Sequence, residues 1–251
     1  MTEIQNTDGF SKYGIYEISD SLSLIFPDTE IKFEKVSPKV FSYDRVNSEG
    51  KHIEKIIPVT SKTLKIEISP IRPLNHPARR TRHVFLQFDK DIFLPENSAA
   101  TVFVQCPIEI GLFIITDHQK DSLDWFTCNP TNSRFGLYGS PDTGILCKYF
   151  NTQIVDSHED STPYVNGIMK ILIKNELGMS HSLGKIIFPI TDNSIYYDER
   201  QAIFDGLVAV LKKRGRTDII GVNKEQIETT WTQSPTWEFT TTKTHMEMGL
   251  D

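Results

Sequence analysis

The sequence predicts a mainly β protein, an antiparallel β-sandwich with jelly-roll or immunoglobulin-like layers and one C-terminal amphipathic helix. Between about residue 13 and residue 197, short apolar or alternating runs are separated by Pro, Gly, Asn and Asp, which is typical of antiparallel strands and their turns. Helical periodicity is nearly absent from that part of the chain. The chain has 251 residues, enough to bury a core without disulfide bonds.

The first group of strands falls in residues 1–70, which we interpret as an N-terminal β subdomain. In its last strand, apolar Leu64, Ile66 and Ile68 alternate with charged residues, so one face of that strand is expected to be buried. A proline-rich stretch from Pro70 to Pro77 follows. Because proline cannot donate a backbone hydrogen bond to a sheet, this stretch is the favoured boundary between the two predicted β subdomains.

The second group of strands falls in residues 71–197, interpreted as a β-sandwich subdomain. Met169, Ile171 and Ile173 alternate with polar or solvent-facing positions and are expected to face the core. Residues 198–251 form the third unit, a helix followed by a threonine-rich tail. A single domain spanning residues 1–251 stays open as the alternative.

The helix is predicted to begin near Asp198, a favourable N-cap with Gln201 three residues later, and to end at Gly215. An apolar stripe at helical spacing and three cationic residues in the last turn favour it. The stripe consists of Ile203, Phe204, Leu207, Val208 and Leu211.

Five segments of the chain carry a resemblance to a known family: Tyr13 to Ile18, Pro70 to Pro77, Cys106 to Gly111, Phe135 to Gly139, and Gly167 to Asn175. In these segments the chain resembles an uncharacterised, chiefly archaeal family, domain-of-unknown-function family 432. The resemblance implies an archaeal source and a shared β fold. It implies no activity and transfers no catalytic residue.

Composition and charge narrow the function classes. The net charge of −6 opposes phosphate backbones, so nucleic-acid binding is not expected. Three cysteines without a C-x-x-C pair favour a reducing compartment. The N-terminus has no signal-peptide pattern, and no apolar run reaches the roughly 20 residues of a membrane span. We therefore expect a cytoplasmic protein with no membrane span.

A basic cluster is the sharpest local charge feature. Its members are Arg72, Arg79, Arg80, Arg82 and His83. Arginine forks bind phosphate, carboxylate or an acidic protein surface. The alternative is a loop whose arginines pair with acidic residues of the same chain.

Glu109 lies in an otherwise apolar run and is the weak catalytic candidate, because a buried carboxylate can acquire a shifted pKa. The plainer interpretation is that strand alternation turns Glu109 away from Ile108 and Ile110, toward solvent or toward an arginine such as Arg82 or Arg134. No spacing of the seven histidines indicates a metal site, and no nucleotide-binding or nucleophile motif occurs, so we expect no metal and no cofactor.

These features favour a non-catalytic β-sandwich protein that binds or assembles with a protein partner or an anionic small molecule. One alternative is a hydrolase or isomerase in which Glu109 and the arginines meet in one pocket. The other is a carbohydrate-binding module that uses Tyr138, Tyr149 and the C-terminal tryptophans. The sequence sets no oligomeric state.

Overall fold

The structure is a computed structural model that describes residues 11–75, 80–117, 119–129, 134–157, 160–213, 216–223 and 231–237. These residues form 20 strands in four sheets, together with a short 3-10 helix at Ile190–Asp192. The prediction of a mainly β sandwich is confirmed.

The first two sheets have four antiparallel strands each. The first sheet has the order β1 (Gly14–Ile18), β6 (Leu64–Ile71), β9 (Glu109–Ile115) and β10 (Lys120–Phe126). The second is a meander of β2 (Ser21–Ile25), β3 (Thr29–Ser37), β4 (Val40–Asn47) and β5 (His52–Pro58).

The other two sheets also contain parallel pairs. The third has the order β11 (Arg134–Tyr138), β12 (Ile145–Thr152), β7 (His83–Leu94) and β15 (His181–Pro189), with β12 and β7 parallel. The fourth has the order β13 (Ile154–Val155), β8 (Ala99–Pro107), β14 (Asn166–Asn175), β17 (Gln201–Phe204), β16 (Ile195–Asp198) and β20 (Thr232–Gln233). Beyond β17, β14 pairs with β18 (Gly206–Lys213), which pairs with β19 (Arg216–Asn223).

One hydrophobic cluster receives side chains from all four sheets, among them Ile66, Phe33, Leu86 and Ile171. Met169, Ile171 and Ile173 are fully buried, as the alternation in β14 predicts. Pro70 lies inside β6, opposite Ile110 and beyond the point where β1 begins, so the missing N–H costs no bond to β1. The division of the chain near residues 70 and 197 stays a prediction.

The predicted helix from Asp198 to Gly215 is wrong, because the described part of this segment, up to Lys213, forms strands. Asp198 pairs with Gln201 across a two-residue turn in which Glu199 has a φ of +46°. Leu207 and the consecutive residues Ala209, Val210 and Leu211 of β18 are buried, so both faces of the strand are covered, and such strands have continuous apolar runs. The run Leu207 to Leu211 is apolar throughout, so it also contains apolar residues at the spacing of a helical stripe. Within the described ranges, no helix is long and apolar enough to cross a membrane.

A buried ion pair joins the first and second sheets. The pairing of β10 with β9 shifts between Ser122 and Asp124, a bulge that changes the direction of the following side chain. Asp124 is buried, and its Oδ2 accepts hydrogen bonds from Arg45 Nε at 2.7 Å and from the Tyr43 hydroxyl at 2.8 Å. These two residues lie on β4, so the bulge fixes how the two sheets meet.

Replacing Asp124 is expected to destabilise the protein, because the buried Arg45 then loses its ionic partner. Asp124→Ala leaves the buried Arg45 guanidinium without its carboxylate and should lower the free energy of unfolding by about 3–5 kcal/mol. Tyr43→Phe removes one hydrogen bond and should cost about 1 kcal/mol. Urea unfolding followed by tryptophan fluorescence measures both. Equal losses in the two variants would contradict a dominant ion pair.

Candidate functional site

A cleft of about 450 Å³ opens where three separate segments of the chain meet. Its walls come from the end of β6 and the loop that follows, from the residues around the 3-10 helix, and from the segment that contains β20. In residue numbers these walls are 70–75, 191–195 and 233–237. The size is in the range of small-molecule sites, roughly 300–1,000 Å³.

Specific hydrogen bonds hold the three walls together. Arg72 Nε donates to the backbone carbonyl of Asn193 at 2.8 Å, which ties the first wall to the second. The backbone N–H of Ser234 donates to the carbonyl of Ile195 at 2.9 Å, and Gln233 pairs with Tyr196, which ties the second wall to the third. The cleft is therefore part of the hydrogen-bonded framework.

Asp205 holds the second wall in place through hydrogen bonds to Asn193 and Ser194. This buried residue separates β17 from β18, and its Oδ2 accepts the backbone N–H of Ser194 at 2.8 Å. Its backbone carbonyl accepts Nδ2 of Asn193 at 3.0 Å. The polar residue that interrupts the apolar run of this segment thus positions the wall of the cleft.

Two of the predicted anion-binding residues line this cleft. Arg72 approaches from the first wall, and exposed Arg82 lies where its backbone carbonyl accepts the N–H of Ile190, next to the 3-10 helix. Asp192 is the acidic lining residue among those described. The described lining therefore has two cationic residues and one anionic residue, a local excess of +1 in a chain whose net charge is −6.

Two other members of the basic cluster, Arg80 and His83, do not line this cleft. Arg80 is exposed and does not line the cleft. His83 begins β7, where it is half-buried beside Cys147 and Pro189 on the neighbouring strands. Arg79 lies outside the described residues.

Glu109, the catalytic candidate, is buried behind the cleft and does not line it. The backbone N–H of Asn75 donates to both of its carboxylate oxygens, at 2.9 Å to Oε1 and 3.0 Å to Oε2. Lys148 Nζ on β12 lies 3.2 Å from Oε1. The expected position toward solvent is wrong because both faces of β9 are covered at this point, and Lys148 is a cationic partner of the buried carboxylate.

Lys148 is itself buried, and two opposing effects act on its pKa. Burial lowers the pKa of Lys148 from its ordinary value, and the charge of Glu109 and its hydrogen bond oppose that change. Since Asn75 lines the cleft and is bound to Glu109, this buried pair supports the first wall from behind.

The aromatic residues proposed for sugar binding are engaged with protein groups. The Tyr149 ring stacks on Phe85 with centroids 5.0 Å apart, and the Arg134 guanidinium lies 4.7 Å from its centroid. Tyr138 contacts Phe85 edge to face. Trp237 is half-buried and packs against Phe113 at 5.4 Å. The rings therefore form no shared open platform, and the described part of the tail, residues 231–237, lies against the sheets.

The three cysteines are buried and free. Burial raises the pKa of Cys128 to about 12 and that of Cys147 to about 11, and it also raises the pKa of Cys106. Thiolates are the reactive form, so these positions do not favour nucleophilic catalysis. No group of three metal-ligating side chains occurs among the residues that the structure describes.

Fold and cleft together define an all-β protein with a small polar cleft that contains two arginines. The chain belongs to the family described as "Protein of unknown function (DUF432)", whose family model matches residues 12–248. No curated protein and no solved structure matches this chain.

Sequence reasoning found the two lining arginines and named the C-terminal tryptophans, of which Trp237 lines the cleft, but it did not bring them together and it missed the second wall. Ser194 and Gln233 belong to no recognisable motif, and the pairing of β16 with β20 brings the third wall beside the second. The polar interruption at Asp205 was the one local signal that this region departs from a regular amphipathic helix.

The buried pair behind the cleft yields a test with a pH dependence. Glu109→Gln leaves the Lys148 cation beside a neutral amide and should lower the free energy of unfolding by about 3–5 kcal/mol at pH 7. The pKa of Lys148 should fall further in this variant. The stability of the variant should then rise with pH up to the ordinary lysine value of 10.5, because the unfolded chain binds more protons in that interval.

Urea unfolding at pH 7 and pH 9 measures this behaviour. The double variant Glu109→Gln/Lys148→Met is the control, and it should recover most of the lost stability and show a weaker pH dependence. A single variant as stable as the wild type, or a double variant less stable than Glu109→Gln alone, would refute the role of the pair.

Proposed function

We propose that this protein is a non-catalytic binding protein whose cleft takes a small anionic ligand that carries a carboxylate or phosphate group. The observation behind this proposal is that Arg72, which follows β6, and Arg82, which precedes β7, line the same cleft. Arginine presents a planar fork of N–H donors that matches the oxygens of both anions.

The electrostatic setting supports an anion over a cation. The local excess of positive charge occurs on a protein with a net charge of −6, so the cleft differs in sign from the average surface.

Binding is preferred over catalysis because of where Glu109 lies. A hydrolase or isomerase that used Glu109 as its base would need the carboxylate in the cleft with the arginines. Instead the carboxylate is buried, and the backbone of Asn75 binds both of its oxygens. We assign Glu109 a structural role in holding the cleft wall.

A small-molecule ligand is also preferred over a protein partner that docks on the tail. Residues 232–233 already pair with β16, and Trp237 already packs on Phe113. The cytoplasmic location belongs to the same proposal, because three free buried cysteines fit a reducing compartment.

Isothermal titration calorimetry with inorganic phosphate, pyrophosphate and citrate tests the proposal. Arg82→Ala should weaken binding about tenfold to a hundredfold, the loss of a hydrogen bond to a charged group, roughly 1.5–3 kcal/mol. Affinity should also fall as salt rises, since Arg82 is exposed.

Arg80→Ala is the matched control. Arg80 lies two residues before Arg82 and is also exposed, but it does not line the cleft, so the variant removes the same charge outside the site. It should leave the affinity unchanged within about twofold. No heat with any of the three anions, or equal weakening in both variants, would refute a specific anion site.

A further inference from the structure

A second cleft has a volume of about 660 Å³, and none of its described lining residues belongs to the first cleft. It lies between the third and fourth sheets, where β12 passes β8 and the start of β14. Its size suits a ligand of one or two sugar rings, since small-molecule sites run from roughly 300 to 1,000 Å³.

The lining of this cleft is unusually rich in carboxamides. Five of the twelve described lining residues have amide side chains: Gln105, Asn129, Asn151, Gln153 and Asn166. Thr152 and Thr162 add two hydroxyl groups. Each amide carries a carbonyl acceptor and an NH₂ donor, so the described wall contains both kinds of hydrogen-bonding group.

The charges of the described lining balance. Among the residues that the structure describes here, Asp89 is the acidic and Arg134 the basic member, so together they contribute no net charge. A neutral ligand is therefore favoured, in contrast to the cleft with Arg72 and Arg82. Because a hydroxyl donates and accepts at one atom, a compound with several hydroxyls matches both the donors of Arg134 and the acceptors of Asp89.

Several of the polar groups are held in place by neighbours. The Tyr149 hydroxyl donates to Asn151 Oδ1 at 3.0 Å, and Arg134 lies over the Tyr149 ring. Gln105 Nε2 donates to the carbonyl of Asp160 at 2.9 Å. Such preorganisation lowers the entropic cost of binding.

We propose that this second cleft binds a neutral saccharide through hydrogen bonds to its hydroxyl groups. Ring stacking makes no part of this recognition, because Phe85 and Arg134 already engage the Tyr149 ring. The proposal is independent of anion binding, since it concerns different residues on different strands.

The test uses the full chain and a panel of glucose, galactose, mannose, N-acetylglucosamine, maltose and cellobiose. Saturation-transfer difference NMR detects binding, and calorimetry measures the affinity of the best saccharide. Asn151→Ala and Asp89→Asn change exposed side chains of the cleft and should each weaken that affinity about tenfold.

Gln119→Ala and Asp121→Asn are the matched controls, because they make like changes at exposed positions of the first sheet and its turn. Both should leave saccharide affinity unchanged, as should Arg82→Ala, so failure of the anion site does not affect this result. The neutral peptide N-acetyl-Gly-Gly-amide should not bind.

Three outcomes would overturn the proposal: no saturation transfer to any saccharide of the panel, equal weakening by cleft and control variants, or binding of the blocked peptide in place of the sugars.

Discussion

The carboxylate of Glu109 is the buried charge on which the geometry of the first cleft depends. It lies on β9 of the first sheet, binds Lys148 on β12 of the third, and accepts the backbone N–H of Asn75 in the cleft wall. A buried charge demands partners in defined positions, because each one left without a partner costs several kcal/mol. One side chain thus fixes the relation of two sheets and a loop.

Two other buried carboxylates, Asp124 and Asp205, also have partners in defined positions, and each lies at an irregularity of a strand. The bulge in β10 turns Asp124 toward Arg45 and Tyr43, and the break between β17 and β18 places Asp205 under Asn193 and Ser194. In a sandwich built from apolar alternation, such residues specify which strand ends meet. The first cleft is framed by two of these three acids, Glu109 and Asp205.

The fold class could be read from the sequence because alternation is a local property. It correctly placed Met169, Ile171 and Ile173 in the core. It failed at Leu207 to Leu211, where a strand covered on both faces is apolar at every position and so matches a helical stripe as well. It also placed Glu109 on the correct side of its strand while missing that this side is covered too.

The site was predictable only in part, for a related reason. Arg72 and Arg82 stood out because cationic residues cluster in the chain, whereas His83, their neighbour in sequence, lies in a strand outside the cleft. Lys148 is 39 residues from Glu109, and the third wall is more than 150 residues from Arg72. Such long-range juxtapositions follow from strand order, which composition and periodicity do not encode.

The docking of residues 231–237 has a consequence for biosynthesis. This segment is the last of the described ones to leave the ribosome, yet it forms one wall of the first cleft. Strands β1 to β18 can pair before it is made, so a nascent chain holds a sheet framework with an incomplete cleft. Removal of residues 231–237 would therefore take away this wall and the pairing of β20 with β16, whereas the pairings among β1 to β19 involve no residue of the segment.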